Sequence, residues 1–531
     1  MRGIVNDCLR WLIGFGIRRI GLGLEIIQRI KVSIFCWNQK RLKRRYEINA
    51  DTPILSYGPA LEELIENAAA HIGGDARFAL TSGSTAKPKR ILYTKKRLRS
   101  TKFAYIDVFA RCYRALGIKR TSLYVFSSLS RDDSLTSMLI DEKGRPPYLS
   151  TLQAPYRIQS HPILQALASC YGATAVRLWI LTIANPGVLY STNPSTLSVF
   201  LDEFATEWQR SSRLIKDWCE RPETFHPTLH MIAARLASRG SSTRLRRIAT
   251  SAAPLHLDDC APGVAGYVCW TGGYVKPFLD RIAIHLPPER YRLIPMYSMS
   301  TETIETVSCF RNDNVAFLPL ASRVLYEFIE EGMDDRPKNL LTADQLEAGR
   351  TYTMVVSDPY GLCRYQTGDL FLCRGQVGKL PDLRFVRRRD LEYSFTGEKL
   401  TAKQVSTVFQ QLREEFASLK SDAFLTCVPS QPVDEPLPHY KIVLIGAFDE
   451  STEISVDELA GRCDALLGEM NCEYKSKRES GRLGHVQLVR MPINNFINRM
   501  SGPQHPANWE TQFKFLPLYR RTWESLSASF R

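Results

Sequence analysis

Apolar residues recur along this chain with helical spacing in some stretches and as short unbroken runs in others. Near the start, Ile13, Ile17, Ile20, Leu24, Ile27 and Ile30 follow one another at three- and four-residue steps, which predicts an amphipathic helix. Arg18 and Arg19 interrupt that run, so it makes a poor membrane span, and no small-residue cleavage site follows it as a secretory signal would require. Farther on, Arg77-Phe78-Ala79-Leu80 and Ile91-Leu92-Tyr93 read as short strands. Phe103 to Leu116 reads as a helix and Ser122 to Phe126 as a strand. Val176 to Ile180 and Val188 to Tyr190 are short apolar runs. Asn193-Pro194-Ser195 opens a helix carrying Leu197, Phe200, Leu201 and Phe204 on one face. Such alternation predicts an α/β architecture with mostly parallel strands, whose ligands sit in loops at the strand ends.

Composition narrows the class. A chain of 531 residues is too long for one compact core, so two or more domains are expected. A 44% hydrophobic and 24% charged composition is that of an ordinary globular protein rather than a disordered or fibrous one. Thirteen cysteines show no C-x-x-C spacing and cannot all pair internally, which suits reduced thiols in a cytoplasmic protein. The net charge of +15 is concentrated at one end. Eleven basic residues between Arg2 and Arg45 against Asp7 and Glu25 give +9, leaving +6 for the rest. Without aromatics interleaved among arginines, nucleic acid is not the expected partner, and a mildly basic body suits an anionic substrate. The basic segment 1–45 fits peripheral contact with an anionic membrane at its inner face. It fits equally a helix packed on the large domain with a basic outer face, and that packed helix is the favoured expectation. Nothing points to an obligatory protein partner.

The candidate chemistry starts at Thr81-Ser82-Gly83-Ser84-Thr85-Ala86-Lys87-Pro88-Lys89, between the first two strands. Four hydroxyls, a glycine and two lysines there offer donors and charge to phosphate oxygens, although a plain polar turn would also fit. The stretch lacks the G-x-x-x-x-G-K-[ST] pattern. Four later segments each have a functional and an ordinary reading. Trp270-Thr271-Gly272-Gly273 allows close approach to a flat ligand, or is a turn. Tyr297-Ser298-Met299-Ser300-Thr301-Glu302 sets a hydroxyl beside a carboxylate, as phosphate-bound Mg²⁺ or a helix cap would use. Gly361 to Leu370 contains Gly368-Asp369, a carboxylate suited to ribose hydroxyls or to a solvated turn. Phe385-Val386-Arg387-Arg388-Arg389-Asp390 precedes Phe395-Thr396-Gly397-Glu398-Lys399-Leu400.

In this order and spacing, the segments resemble the adenylate-forming superfamily of acyl- and aryl-CoA synthetases, peptide-synthetase adenylation domains and luciferases. The closer resemblance is to the auxin-responsive-promoter family of acyl-acid amido synthetases. It rests on W-T-G-G, Glu327-Phe328-Ile329, Leu346-Glu347-Ala348-Gly349-Arg350-Thr351-Tyr352, the G-L-x-R-Y-x-x-G-D stretch ending at Asp369, and Gln512-Phe513-Lys514-Phe515. It covers roughly residues 75 to 520, and the first 70 residues do not match it. Ala86 stands where the superfamily usually has glycine.

The resemblance implies a large N-terminal ATP- and acyl-binding domain, 46–394, of β-sheets flanked by helices. A smaller hinged α+β lid, 395–531, would follow. Ser82, Gly83, Ser84, Thr85 and Lys89 would cradle the β- and γ-phosphates of ATP. Gly272, Gly273 and Tyr297 would line the adenine slot, and Thr301 would contact the α-phosphate. Glu302 would hold Mg²⁺, Asp369 the ribose, and Arg388 ribose or phosphate. Lys514 would reach in from the lid. The implied reaction adenylates a small carboxylic acid and passes the acyl group to an amine, with an amino acid as the expected acceptor. Thioester formation with coenzyme A or a carrier protein is the alternative within the superfamily. A non-catalytic, membrane-associated nucleotide binder is the alternative outside it.

Other signals are weaker. His226 and His230 are four apart, but Pro227 lies between them and the glutamate of H-E-x-x-H is missing. No G-x-S-x-G elbow appears. Gly21-Leu22-Gly23 lacks the third glycine of a dinucleotide fingerprint. Trp179, Tyr190, Tyr274 and Tyr291 are candidates for the acyl pocket and equally for the core.

Overall fold

The computed structural model describes residues 2–80, 89–101, 104, 110, 114, 117, 123–126, 135, 138, 162–272, 275–296, 300–311, 314–389, 392–416, 419, 424–432, 435, 437–446, 455–501 and 515–527. The chain divides into two compact units. The first comprises Met1–Gly272 and Ile282–Val386, and the second Gly273–Arg281 and Arg387–Arg531.

The first unit opens with helices α1 (Arg2–Ser33), α2 (Phe35–Arg45) and α3 (Pro59–Ile72). Strands β1 (Arg77–Leu80) and β2 (Arg90–Tyr93) form the antiparallel hairpin that flanks the hydroxyl-rich stretch. A parallel sheet in the order β3-β4-β5-β6 follows, from β3 (Leu123–Val125), β4 (Val188–Ser191), β5 (Gly266–Trp270) and β6 (Arg292–Met296). Its intervening helices include α4 (Pro162–Tyr171), α5 (Ala173–Ala184), α6 (Pro194–Thr206), α7 (Trp208–Glu220), α8 (Pro227–Leu236) and α9 (Ser241–Thr250). The apolar run Val176–Ile180 lies inside α5, which is buried from Thr174 to Ala184 and packs against α4, α7 and α9. A helix apolar on all sides belongs inside a core. Asn193 caps α6 as its sequence predicts, accepting from the Ser195 amide. His226 likewise caps α8, and His230 stacks on Trp218.

Among the described strands, parallel ladders occur in this sheet and in one pair of the second unit, and the other pairs are antiparallel. Hairpin β7 (Val307–Arg311) and β8 (Asn314–Leu318) precedes a sheet of β9 (Leu325–Glu330), β10 (Thr351–Ser357), β11 (Tyr365–Val377) and β12 (Leu380–Arg388). Short connections favour antiparallel neighbours, whereas each parallel strand needs a crossover.

Several motif residues turn out to build this unit. Arg364, with only 2% of its side chain exposed, donates to both Glu327 carboxylate oxygens at 2.9 and 3.1 Å and to the Thr52 carbonyl at 2.6 Å. Lys43 of α2 joins Glu327 at 3.2 Å. Tyr352 OH accepts from the Glu347 amide at 2.9 Å, closing the turn through Gly349. Gly361 has φ +99°, and a Cβ there would come within 2.7 Å of the Ile65 Cα in α3, so only glycine fits. Gln39 of α2 donates to the Val324 carbonyl and accepts from the Tyr326 amide, which seats this helix on β9.

The second unit has its own core. Sheet β15 (Phe424–Ser430), β16 (His439–Ile445) and β17 (Gln487–Met491) packs with α11 (Ala402–Glu415) and α12 (Val456–Met470), counting Lys276–His285 as α10. A two-stranded ribbon, β13 (Glu392–Tyr393) and β14 (Leu400–Thr401), precedes α11. Between its strands the buried Glu398 accepts from the Phe395 and Thr396 amides at 2.7 and 2.8 Å and from Tyr440 OH at 2.5 Å. Its role there is to hold the turn of the G-E-K-L stretch.

Candidate active site

Lys89 sits immediately before β2, and its Nζ lies 3.0 Å from Glu302 Oε1. The ammonium also donates to Tyr365 OH at 2.8 Å and lies over the rings of Tyr57 and Tyr365, at 5.7 and 5.5 Å from their centroids. Three regions far apart in sequence therefore meet at one cation: the hairpin, the segment after β6, and the start of β11.

That segment after β6 is a tight turn and not the start of a helix. The Ser300 amide donates to the Thr303 carbonyl at 3.1 Å, and the Thr303 amide returns to Ser300 Oγ at 3.2 Å. Tyr93 OH holds the Thr301 carbonyl at 2.9 Å. Arg97, nearly fully buried, donates to the Glu302 carbonyl at 2.5 Å and to the Leu92 carbonyl at 2.7 Å. Its guanidinium pairs with Asp358 at 3.0 Å between the rings of Tyr93 and Tyr360. Burial raises the Asp358 carboxyl above its ordinary value and the Arg97 charge opposes that rise.

Glu305 completes the turn from beneath. It is fully buried, and one carboxylate oxygen accepts from the Ser300 amide at 2.9 Å. The other, Oε1, has no hydrogen-bond partner among the described residues. Burial, then the charge of Asp369, then that of Glu302 push its pKa up to about 8, so Glu305 is predominantly a neutral acid at neutral pH.

Asp369 projects from an irregularity in β11. Thr353 pairs with Leu370 and Val355 with Gln366, so three residues of β11 oppose one of β10. Gly368 takes φ +75° there. Thr367 Oγ1 donates to the Met354 carbonyl at 3.1 Å and accepts from the Asp369 amide at 3.2 Å. A bulge of this kind re-aims a side chain out of the ladder, here to within electrostatic reach of Glu305.

Gly272 follows β5 and is held by the protein itself. A Cβ there would meet Phe385 Cβ at 3.0 Å and its carbonyl at 3.1 Å, so its smallness serves packing on β12. Arg388 ends β12 in the second unit, where its carbonyl accepts from Arg387. Ser82, Gly83, Ser84, Thr85, Gly273, Tyr297 and Lys514 lie outside the described residues, as do Ala86 and Tyr274. Of the acyl-pocket candidates, Trp179 is core, with its ring against Trp218, and Tyr190, on β4 of the parallel sheet, is buried in the first unit's core. Tyr291 hydrogen-bonds to Asp258.

The structure thus brings Lys89, Thr301, Glu302 and Asp369 into one neighbourhood and adds Arg97, Glu305 and Tyr365. Tyr365 was visible only as part of the G-L-x-R-Y motif, and Glu305 only as a second acid in Thr301-Glu302-Thr303-Ile304-Glu305. Arg97 carries no sequence signal, because its partners lie across the fold. Among the described residues no three His, Cys, Asp or Glu side chains converge as a metal-ligand set. Glu302 alone offers a carboxylate beside Lys89, so any Mg²⁺ there would need that ion pair to open and would take its other ligands from phosphate and water.

Residues 317–388 match the model of the GH3 family central domain. A rice (Oryza sativa subsp. japonica) probable indole-3-acetic acid-amido synthetase GH3.2 is 24% identical over 165 residues, 29% of this chain and 26% of that protein. A human GH3 domain-containing protein is 27% identical over 164 residues, 30% of each chain. The match thus spans about a quarter to a third of these curated relatives. Among solved structures, a GH3.15 acyl acid amido synthetase superposes with a TM-score of 0.70 at 14% identity, covering 96% of this chain and 95% of that one. AtGH3.15 in complex with 2,4-DB superposes with a TM-score of 0.65 at 15% identity, over 90% and 87%. The resemblance read from the motifs is borne out, and the chain has the fold of an acyl acid amido synthetase.

Proposed function

For a chain that carries the GH3 central domain on the fold of an acyl acid amido synthetase, we propose ATP-dependent activation of a small carboxylic acid followed by amide formation with an amino acid. The observation that supports this most is the Lys89–Glu302 pair, set beside a hydroxyl-rich stretch and near the bulge bearing Asp369. An anionic acid attacking an anionic phosphate needs its charge offset, and a positioned cation in a half-buried site supplies that at little reorganisation cost.

In the first step a substrate carboxylate oxygen bonds to the α-phosphorus and the bond to pyrophosphate breaks. Lys89, with Ser82, Gly83, Ser84 and Thr85, holds the departing phosphates. Thr301 and Arg388 contact the α-phosphate or ribose, and Asp369 accepts the ribose hydroxyls. Gly272, Gly273 and Tyr297 frame the adenine. Glu302 would hold Mg²⁺, which would neutralise phosphate charge. Lys514 serves the adenylation step. In the second step the amine bonds to the acyl carbon and loses a proton, and the bond to AMP breaks.

ATP–pyrophosphate exchange over a panel of acids tests the first step, and product analysis with amino acids or coenzyme A tests the second. Acid-dependent exchange, lost in Lys514→Ala, with amide as product is the expected result. Thioester without amide would reassign the acceptor. No exchange with any acid, and no effect of Lys514→Ala, would remove the enzyme reading.

A further inference from the structure

Among the described residues, seventeen large hydrophobic side chains are exposed, and eleven of them lie between Ile4 and Trp37. On α1 the exposed Ile4, Trp11, Phe15, Leu22, Ile26 and Ile30 follow at steps of four and seven, which sets them on one side of the helix. Trp37, 63% exposed, adds to this apolar surface from α2. The helix is therefore not simply packed with a basic outer face. Its outer side is apolar and basic together.

Both acids of the segment turn elsewhere. Asp7 accepts from the Arg239 amide at 3.0 Å, and Glu25 pairs with Arg114 at 3.2 Å. Eighteen residues make five turns, so these two carboxylates share the face fixed to the first unit. The exposed Arg19, Arg29, Lys40, Arg44 and Arg45 have no carboxylate partner among the described residues. Arg19 lies over the Phe15 ring at 5.1 Å and Arg41 over Trp37 at 5.3 Å, which sets cations directly against aromatic rings. No single described helix is long and apolar enough to cross a membrane.

We propose that the outer face of α1, continued by Trp37, docks this protein on an anionic lipid surface, with the apolar side chains in the headgroup–acyl boundary and the arginines on lipid phosphates. Aromatic side chains favour that boundary, and arginine stems reach from it to the headgroups. A second copy of the chain is disfavoured as the occupant, because two such faces would set like charges against each other. The proposal is independent of the reaction above, since its readout is lipid binding.

The test uses the full chain and sedimentation with phosphatidylcholine vesicles, with and without phosphatidylserine. Binding to the serine-containing vesicles that weakens with salt is expected. Trp11→Ser/Phe15→Ser and Arg19→Glu/Arg29→Glu should each weaken it roughly tenfold or more while leaving ATP–pyrophosphate exchange unchanged. Point variants are used because α2 is built into the first unit and a longer truncation would disturb it. Unaltered thermal melting shows that the variants fold. The proposal is overturned by no binding to anionic vesicles or by binding that neither pair of substitutions alters. It is also overturned if the wild type self-associates without lipid and the Trp11/Phe15 variant does not, which would assign the face to a second copy.

Discussion

Lys89 and Glu302 are 213 residues apart in sequence, yet the ammonium and the carboxylate meet at 3.0 Å with most of each side chain out of water. Each is the other's counter-ion in the nucleotide-free chain. A triphosphate with its magnesium would offer each a better one, so the pair marks where substrate charge is exchanged for protein charge.

Replacing Lys89 by methionine should lower acid-dependent ATP–pyrophosphate exchange by about 10²–10³-fold, the usual effect of losing one positioned donor. Glu302→Gln should show a comparable loss together with a higher magnesium requirement. Exchange rates across a magnesium titration separate the two.

The Arg364–Glu327 pair predicts a different phenotype. Both side chains are buried; removing Glu327 leaves the Arg364 guanidinium without its carboxylate, and removing Arg364 leaves Glu327 only the partly exposed Lys43 ammonium. Either Arg364→Ala or Glu327→Ala should destabilise the protein by about 3–5 kcal/mol, measured as a fall in denaturant midpoint at constant slope. The double variant should cost less than the sum of the two, because the pair acts as a unit.

Gly272 separates packing from ligand contact. A methyl there meets Phe385, so Gly272→Ala should destabilise the fold by about 1–3 kcal/mol whether or not nucleotide is present. Unchanged stability with a raised KM for ATP would show that the glycine serves the adenine instead.

Glu305 predicts a pH signature. Its folded pKa of about 8 lies above the ordinary carboxyl value, so the folded state holds the proton more tightly than the unfolded chain. Its contribution to stability is complete below the unfolded pKa and is lost as pH rises through about 8. Within that window the slope contributed is at most about 1.4 kcal/mol per pH unit. Glu305→Gln, which keeps shape without charge, should flatten the fall in Tm between the ordinary carboxyl pKa and about pH 8, and leave the curve above pH 8 unaltered. Asp358 shifts in the same direction and will leave a residual slope.

The strands on either side of the hydroxyl-rich stretch and the cap at Asn193 are legible in the sequence, because each is set by neighbours along the chain. Lys89, Glu302 and Asp369 stand out in the sequence as candidates, and the structure places them near one another. Glu327, Tyr352, Gly361 and Arg364 were legible as motif letters, but their work is architectural: a buried ion pair, a hydroxyl closing a turn, a close approach to α3. Arg97 and Glu305 were not legible as site residues. Their importance lies in contacts with the 300–305 turn and in burial, neither of which leaves a periodic trace. The outer face of α1 was hidden for another reason. The stripe from Ile13 to Ile27 dominates the periodicity, and the row through Trp11 and Phe15 lies on a second side of the same helix and meets that stripe at Ile30.

Arg97 fixes the main chain at Glu302 from behind, while Lys89 holds only the side chain in front. A nucleotide that separates the ammonium from the carboxylate therefore needs two rotamer changes and no displacement of that backbone. Entry should proceed without a slow isomerisation at this turn, and stopped-flow association should remain first order in ATP up to high concentrations. A substitution at Arg97 that frees the turn would introduce a plateau in that dependence.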